Sequence, residues 1–96
     1  MKNMKKVEIV FEAVYLNRLM DLLNKHKILK YSLIRDLEGR GSHGFKMNDD
    51  VTCVGSNDYI FTLCEEDEFL ALREELRSFI RRYGGKCFVT DTMMLL

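Results

Sequence analysis

The sequence predicts an α+β domain in which a four-stranded antiparallel sheet carries two helices on one face. Two observations support this fold class: four segments alternate apolar and polar residues as strands do, and two others repeat their apolar residues with the period of a helix. With 96 residues, of which 47% are hydrophobic and none is proline, the chain suits a single domain over residues 1–96. A core of this size is only marginally stable alone, so we expect assembly into a homo-oligomer.

The first half of the chain contains the patterns of a strand, a helix and a second strand. In residues 6–12, apolar residues alternate with polar ones that include Glu8 and Glu12, which is typical of a strand. Apolar positions 16, 19, 20 and 23 then follow the spacing of an amphipathic helix. Near the end of that helix, His26 is expected to interact with its terminal carbonyls. Alternation returns in residues 30–37 and predicts the second strand.

The pattern breaks down after this second strand. Between Glu38 and Asn57 lie four of the six glycines, together with Asn48, Asp49 and Asp50. Neither a helical nor a strand period runs through this segment, so a long mobile loop is predicted at about residues 38–57.

The second half repeats the order of the first. Residues 58–64 are rich in aromatic and β-branched residues and predict a third strand. Four acidic residues at 65–68 precede a helical pattern whose far end is basic, which complements a helix dipole. Gly84 and Gly85 end this helix, and residues 87–94 predict the fourth strand. The resulting order, β-α-β-β-α-β, is that of a ferredoxin-like sandwich.

The charge balance argues against a nucleic-acid partner. Lysine plus arginine and aspartate plus glutamate both number 15, so the chain has no overall field that would attract nucleic acid. RNA-binding domains can share this element order, but their third strand carries a glycine and a basic residue, which residues 58–64 lack. We therefore predict no nucleic-acid binding.

The same composition predicts a cytoplasmic protein. The basic start of the chain is followed by an apolar run that Glu8 and Glu12 interrupt, so it does not resemble a signal peptide. No segment approaches the roughly 20 apolar residues that span a bilayer. The three cysteines include no C-x-x-C pair, which is typical of reduced thiols.

Residues 39–44, GRGSHG, match the dinucleotide-binding pattern G-x-G-x-x-G literally. That fingerprint requires a helix directly after it, and the following residues have no helical period, so we reject a Rossmann site. The glycines still allow successive N–H groups to converge on an anion, with Arg40 adding further donors. A flexible hairpin tip with solvated charge is an equally good interpretation at this point.

A second glycine segment, Gly84-Gly85-Lys86, lies where the second helix meets the last strand. Arg81 and Arg82 precede it, so phosphate could bind there if these cations outweigh the negative end of the helix dipole. The alternative is a glycine C-cap with basic residues that complement the dipole.

With both glycine segments, the chain resembles the PII signalling superfamily. The resemblance covers nearly the whole chain and depends on Tyr31-Ser32-Leu33 leading into GRGSHG, and on YGGKCFV at 83–89. It implies a homotrimer that binds an adenine nucleotide in clefts between subunits, with a long T-loop at about residues 38–57 that engages a transporter or enzyme. By this resemblance the nucleotide-binding residues are Ser32, Gly39, Arg40, Gly41, Ser42, His43, Gly84, Gly85 and Lys86.

Details of the loop point to one branch of that superfamily. Typical PII proteins carry a T-loop tyrosine that is uridylylated, and residues 38–58 contain no tyrosine. The opening Gly-Arg-Gly-Ser and the compact length are closer to the PII-like branch associated with bicarbonate transporters and carboxysomes. That branch implies AMP, ADP, ATP or cyclic AMP as the ligand, bicarbonate as a possible second ligand, and a bicarbonate transporter that recruits the protein to the inner face of the membrane.

Two rival functions remain open from the sequence. A PII-like branch linked to heavy-metal efflux binds metal, but the spacing of His43, Asp49, Asp50 and Cys53 matches no standard zinc site, so no metal site is predicted. An ACT-like metabolite-binding module shares the fold but would not need the long glycine-led loop. No nucleophile, base and orienting group can be assigned together, so we predict no catalytic residues and no enzyme activity.

Overall fold

The computed structural model describes residues 1–37, 40–41, 44–45 and 56–96, the short internal pairs as backbone only. The elements are β1 (Lys2–Glu12), a 3-10 turn (Ala13–Tyr15), α1 (Leu16–Lys25), β2 (Ser32–Leu37), β3 (Arg40–Gly41), β4 (Gly44–Phe45), β5 (Asn57–Cys64), α2 (Glu66–Tyr83) and β6 (Lys86–Met94). Four of the strands form one sheet in the order β2-β5-β1-β6, and every neighbouring pair is antiparallel. The predicted ferredoxin-like β-α-β-β-α-β fold is confirmed.

The core lies between one face of this sheet and the two helices. Alternate residues of β1 and β5 are buried, and they meet buried residues of α1 and α2. The buried apolar residues are Val7, Ile9, Phe11, Leu19, Leu23, Ile28, Ile60, Cys64, Leu72, Leu76 and Phe79. Each large apolar side chain in such a cluster stabilises the fold by ~1.5–3 kcal/mol. The other face of the sheet carries no helix in the described part of the chain.

The first strand is longer than its sequence pattern predicts. The prediction began at residue 6, whereas β1 begins at Lys2. The added residues 2–5 show no clear alternation, but all four pair with β6, from Lys2 with Met94 to Lys5 with Asp91. Backbone hydrogen bonds to β6 thus extend β1 toward the N-terminus, past the residues whose side chains alternate.

The second helix begins and ends as its charges predict. Glu65 and Glu68 form a capping box, in which each side chain accepts a hydrogen bond from the other residue's backbone N–H. Arg81 and Arg82 occupy the last turn, where positive charge is favoured by the helix dipole. The Gly84 N–H donates to the Ile80 carbonyl at 2.8 Å and ends the helix.

The prediction for the His26 side chain was wrong. The backbone N–H of His26 does contact the carbonyls of Leu22 and Leu23, but its ring Nε2 lies 3.1 Å from Glu75 Oε1 on α2. Lys25 Nζ lies at the same distance from that carboxylate. A carboxylate within reach is a better partner for the ring than a helix carbonyl, so the end of α1 is tied to the middle of α2.

The predicted loop at residues 38–57 contains one short ladder. Arg40 pairs with Phe45 and Gly41 with Gly44, which form a two-stranded antiparallel pair. Residues 38–39, 42–43 and 46–55 of the predicted mobile loop lie outside the described residues, and Asn57 already belongs to β5.

Candidate functional site

The strand ends next to the two glycine segments lie at one end of the sheet. Leu37 at the end of β2 and Glu12 at the end of β1 both pair with Asn57, where β5 begins. At the other side of β1, Val10 pairs with Lys86, where β6 begins. The connection from β2 to β5 and the turn from α2 to β6 therefore leave the sheet at the same end.

The end of β2 and the start of β6 lie at opposite edges of the sheet. The strand order places β2 at one edge and β6 at the other, with β5 and β1 between them. At about 4.8 Å per strand spacing, the two edges are roughly 14 Å apart. Within one chain, the end of β2 and the Gly84–Lys86 turn are therefore separated by the width of the sheet.

The Gly84–Gly85 turn has a backbone that only glycine adopts easily. Their φ angles are 81° and 95°. A Cβ on Gly85 would clash with the Val10 carbonyl oxygen and lie 3.3 Å from Phe11 Cα. The turn is therefore packed directly on the end of β1, and the helix-cap interpretation accounts for Gly84, whose N–H is already bonded. The Lys86 side chain is exposed and has no ion pair among the described residues.

The remaining predicted site residues are placed in part. Ser32 is the first residue of the edge strand β2, is exposed, and pairs with Phe61. Arg40 and Gly41 are described only through their backbone ladder. The predicted ligands Gly39, Ser42 and His43 lie outside the described residues. The nucleotide-binding set therefore stays a prediction.

The uncovered face of the sheet combines apolar side chains with polar pairs. Tyr59 Oη donates a 2.6 Å hydrogen bond to Glu8 Oε2, and this bond raises the pKa of Tyr59 to about 12. Lys6 Nζ lies 5.0 Å from the centre of the Phe61 ring. Sequence reasoning missed these pairs, although the alternation in residues 58–64 placed both aromatic side chains on this face.

A fully buried carboxylate lies where β5 leaves the loop. Asp58 is 0% exposed, and its Oδ1 accepts a 3.1 Å hydrogen bond from the Asp36 N–H. Arg35 Nε lies 3.4 Å from Asp58 Oδ2, which has no hydrogen-bond partner within the described structure. Sequence reasoning missed this group too. The signal was available, because position 58 shares its strand face with the apolar Ile60.

Chemistry other than anion binding has little support in the described ranges. They contain no group of three or more histidine, cysteine or acidic side chains that could hold a metal. The weighed candidates His43, Asp49, Asp50 and Cys53 lie outside them. Burial raises the pKa of the Cys64 and Cys87 thiols to about 11, which makes both poor nucleophiles.

Membrane spanning is not supported either. No helix among residues 1–37 and 56–96 is both long and apolar enough to cross a membrane.

Comparisons with known proteins agree with the geometry. The profile of the family "Nitrogen regulatory protein P-II" matches residues 4–94. A nitrogen regulatory PII-like protein from Thiomonas intermedia K12, bound to ADP, AMP and bicarbonate, is similar at 26% identity and a TM-score of 0.80, covering 97% of this chain and 93% of that one. Its complex with ADP and bicarbonate matches at 26% identity and a TM-score of 0.82, over 97% and 89% of the two chains.

A more distant structure shares the fold. A PII-like signalling protein from Thermus thermophilus is 22% identical, with a TM-score of 0.75 over 94% of this chain and 87% of that one. No curated protein sequence matches significantly. The resemblance predicted from the two glycine segments is confirmed, because the family profile spans nearly the whole chain and the element order β-α-β-β-α-β is the predicted one. The chain belongs to the nitrogen regulatory protein P-II family.

Proposed function

We propose that this protein is a non-catalytic sensor that binds an adenine nucleotide in clefts between the subunits of a homotrimer. The observation that supports the proposal is that the end of β2, which leads into the first glycine segment, and the Gly84–Lys86 turn lie at one end of the sheet but at opposite edges. Two chains side by side can join one edge to the other and form a site that neither holds alone. The Thiomonas relative, which covers the same length, binds ADP, AMP and bicarbonate, and this supports an adenylate as the ligand.

The Gly84–Lys86 turn supplies phosphate donors on one side of the cleft. Positive φ at Gly85 turns the backbone sharply, and N–H groups at such turns can converge on an anion. The exposed Lys86 ammonium adds charge beside them. These donors must outweigh the negative end of α2, and the Gly84 N–H is already bonded within the chain. The Gly85 and Lys86 groups are therefore the expected contacts.

The neighbouring chain supplies the other side of the cleft. There we place the base of the T-loop, from Gly39 to His43, with Arg40 on the phosphates and the Ser32 hydroxyl lining the cleft. Main-chain groups of the edge strand β2 supply most of the contacts to the base. Binding shifts the loop between two arrangements, which changes the surface that a partner recognises.

The proposed partner is a membrane transporter for inorganic carbon. A cytoplasmic protein of this kind would bind the inner face of the membrane only through the transporter, because the chain carries equal numbers of acidic and basic residues. Bicarbonate is the proposed second ligand, as in the Thiomonas complexes.

Calorimetric titration with AMP, ADP, ATP and cyclic AMP, each with and without bicarbonate, tests the ligand. At least one nucleotide should bind with one site per chain, and light scattering should give a trimer. An Arg40→Ala variant should bind that nucleotide more weakly and retain the wild-type melting temperature. A monomer that binds none of the four, or one that binds nickel or zinc tightly instead, would contradict the proposal and favour the metal-binding branch.

A further inference from the structure

We propose that Arg35, held in place by the buried carboxylate of Asp58, is a phosphate ligand of the nucleotide cleft. This inference rests on the proposed function and adds a residue that the sequence did not single out. Its basis is the geometry at the base of the loop, where β2 ends and β5 begins.

The first step is the burial of Asp58. Its carboxylate is 0% exposed, and within the described structure one oxygen has no hydrogen-bond partner. A buried carboxylate is costly unless it is paired, and removing its partner is strongly destabilising. Arg35 is the cation beside the unpartnered oxygen, at 3.4 Å through its Nε. The buried charge of Asp58 therefore favours the position of the Arg35 guanidinium in which Nε lies beside Oδ2.

The second step is which nitrogen Arg35 uses. The nitrogen that approaches Asp58 is Nε, at the stem of the guanidinium, while the side chain as a whole is 59% exposed. A guanidinium carries five N–H donors in a rigid fork, so contact through Nε leaves donors on the terminal nitrogens for a second anion. The result is an arginine whose inner side is anchored and whose outer side is free to bind.

The third step is the backbone that Asp58 also holds. Asp36 adopts a φ of 60°, which non-glycine residues rarely occupy, and the ladder to β5 shifts register between Ile34 and Leu37. The Asp36 N–H bonds to the other oxygen of Asp58. Both oxygens of one carboxylate thus fix the segment that leads into the predicted T-loop, and strain kept at such a place is typical of ligand sites.

The fourth step is the location. Arg35 lies on the edge strand β2, three residues after Ser32 and a few residues before the predicted loop ligands. In the proposed trimer this edge meets the Gly84–Lys86 turn of the neighbouring chain. Bidentate contact between arginine and phosphate is among the strongest of charge-assisted hydrogen bonds. The anchored Arg35 fork therefore complements the donors of the turn.

The test is calorimetry with ADP and with adenosine, which has no phosphate. Arg35→Gln should weaken ADP binding at least 10-fold, about 1.4 kcal/mol, and leave adenosine binding within roughly 2-fold. Arg77→Gln is the matched control, because Arg77 is an exposed arginine of α2 paired with Glu74, and should change neither ligand. Equal loss for adenosine and ADP, or no loss for ADP, would overturn the assignment.

Two further variants test the anchoring. Asp58→Asn keeps an oxygen for the Asp36 N–H but removes the charge that orients Arg35, so ADP affinity should fall about 3-fold, and adding Arg35→Gln should give no loss beyond that of Arg35→Gln alone. Arg35→Lys should lose most of the affinity for ADP, because one ammonium group cannot contact the Asp58 carboxylate and a phosphate at once. An Arg35→Lys protein with wild-type affinity for ADP would show that the guanidinium geometry is not required. The Arg35 variants decide the matter even where Asp58→Asn fails to fold.

The outcomes separate this inference from the proposed function. Wild-type protein that binds none of AMP, ADP, ATP and cyclic AMP would overturn both. An Arg35→Gln protein that binds ADP as tightly as wild type would overturn the role of Arg35 alone and leave the cleft in place.

Discussion

At the scale of single residues, the polar groups on the sheet decide properties that composition does not reveal. Asp58 and Tyr59 are consecutive, yet strand alternation sends one side chain into the core and the other to the uncovered face. Asp58 there fixes the base of a loop, while Tyr59 bonds to Glu8 on the neighbouring strand. Two adjacent residues thus have separate roles: Asp58 belongs to the candidate ligand site, and Tyr59 forms a polar pair on the uncovered face.

The bond from Tyr59 to Glu8 predicts a distinct alkaline behaviour. The pKa of this phenol is raised from 10.0 to about 12 by the hydrogen bond to Glu8. Because the folded pKa is the higher one, the bond contributes fully below pH 10 and its contribution is lost as the pH rises toward 12. Tyr59→Phe should therefore lower the free energy of unfolding by about 0.5–1.5 kcal/mol at pH 8, with the difference shrinking above pH 10.

Urea unfolding at several pH values measures this difference. Glu8→Gln is the companion variant, since it keeps an acceptor but removes its charge, and should move the titration of Tyr59 back toward its ordinary pKa in tyrosinate absorbance. A wild-type titration in which every tyrosine ionises near pH 10 would contradict the bond.

At the scale of elements, the patterns with a clear period were predictable and the connections were less so. Both helices, β1 and β5 follow their periodicity because each buries one face, whereas β2 and β6 contain no buried residue. The extension of β1 back to Lys2 could not be predicted, since it depends on pairing with β6 and not on its own side chains. The contact of His26 with Glu75 likewise depends on how two helices pack.

The glycine turn at residues 84–85 was predictable from the sequence, whereas the contact between Arg35 and Asp58 was not. Gly84 and Gly85 stand out in sequence because they interrupt a helical pattern. Arg35 and Asp58 do not, because a charge at the end of a strand looks like solvated surface until the register shows which face it occupies. In the proposed assembly, the two edges of the sheet meet across two copies of the chain, and no local sequence pattern encodes that contact.

The turn between α2 and β6 allows a direct test of why it contains glycine. Gly85→Ala adds a Cβ that meets backbone atoms of Val10 and Phe11 at a φ of 95°. Backbone strain and overpacking together should reduce the free energy of unfolding by about 2–4 kcal/mol. Gly84→Ala, at a φ of 81° without such a clash, should cost less. Chemical denaturation compares the two, and a Gly85→Ala protein as stable as wild type would refute the close approach to β1.

At the scale of the whole molecule, the uncovered face of the sheet argues for assembly. The helices protect one face, whereas Phe88 and Ile34 remain 53% and 52% exposed on the other. These two side chains lie on the opposite edge strands β2 and β6, so the exposed apolar surface extends across the whole face, and such surface often marks an interface. Sheet-to-sheet contact around an axis would cover them and would also set edge strands of neighbouring chains side by side, as the proposed cleft requires.

A charge placed on this face should therefore break the assembly and the ligand site together. Phe88 pairs with Glu8 in the ladder, so Phe88→Glu sets two carboxylates against each other and buries a charge in the expected interface. Light scattering should show the trimer converted to monomers at micromolar concentration, and calorimetry should show nucleotide binding lost with it. Leu70→Glu is the control, because Leu70 is 48% exposed on α2, away from the sheet. If Phe88→Glu stays trimeric, the uncovered face is not the interface; if it becomes monomeric and still binds ADP with wild-type affinity, the cleft does not need two chains.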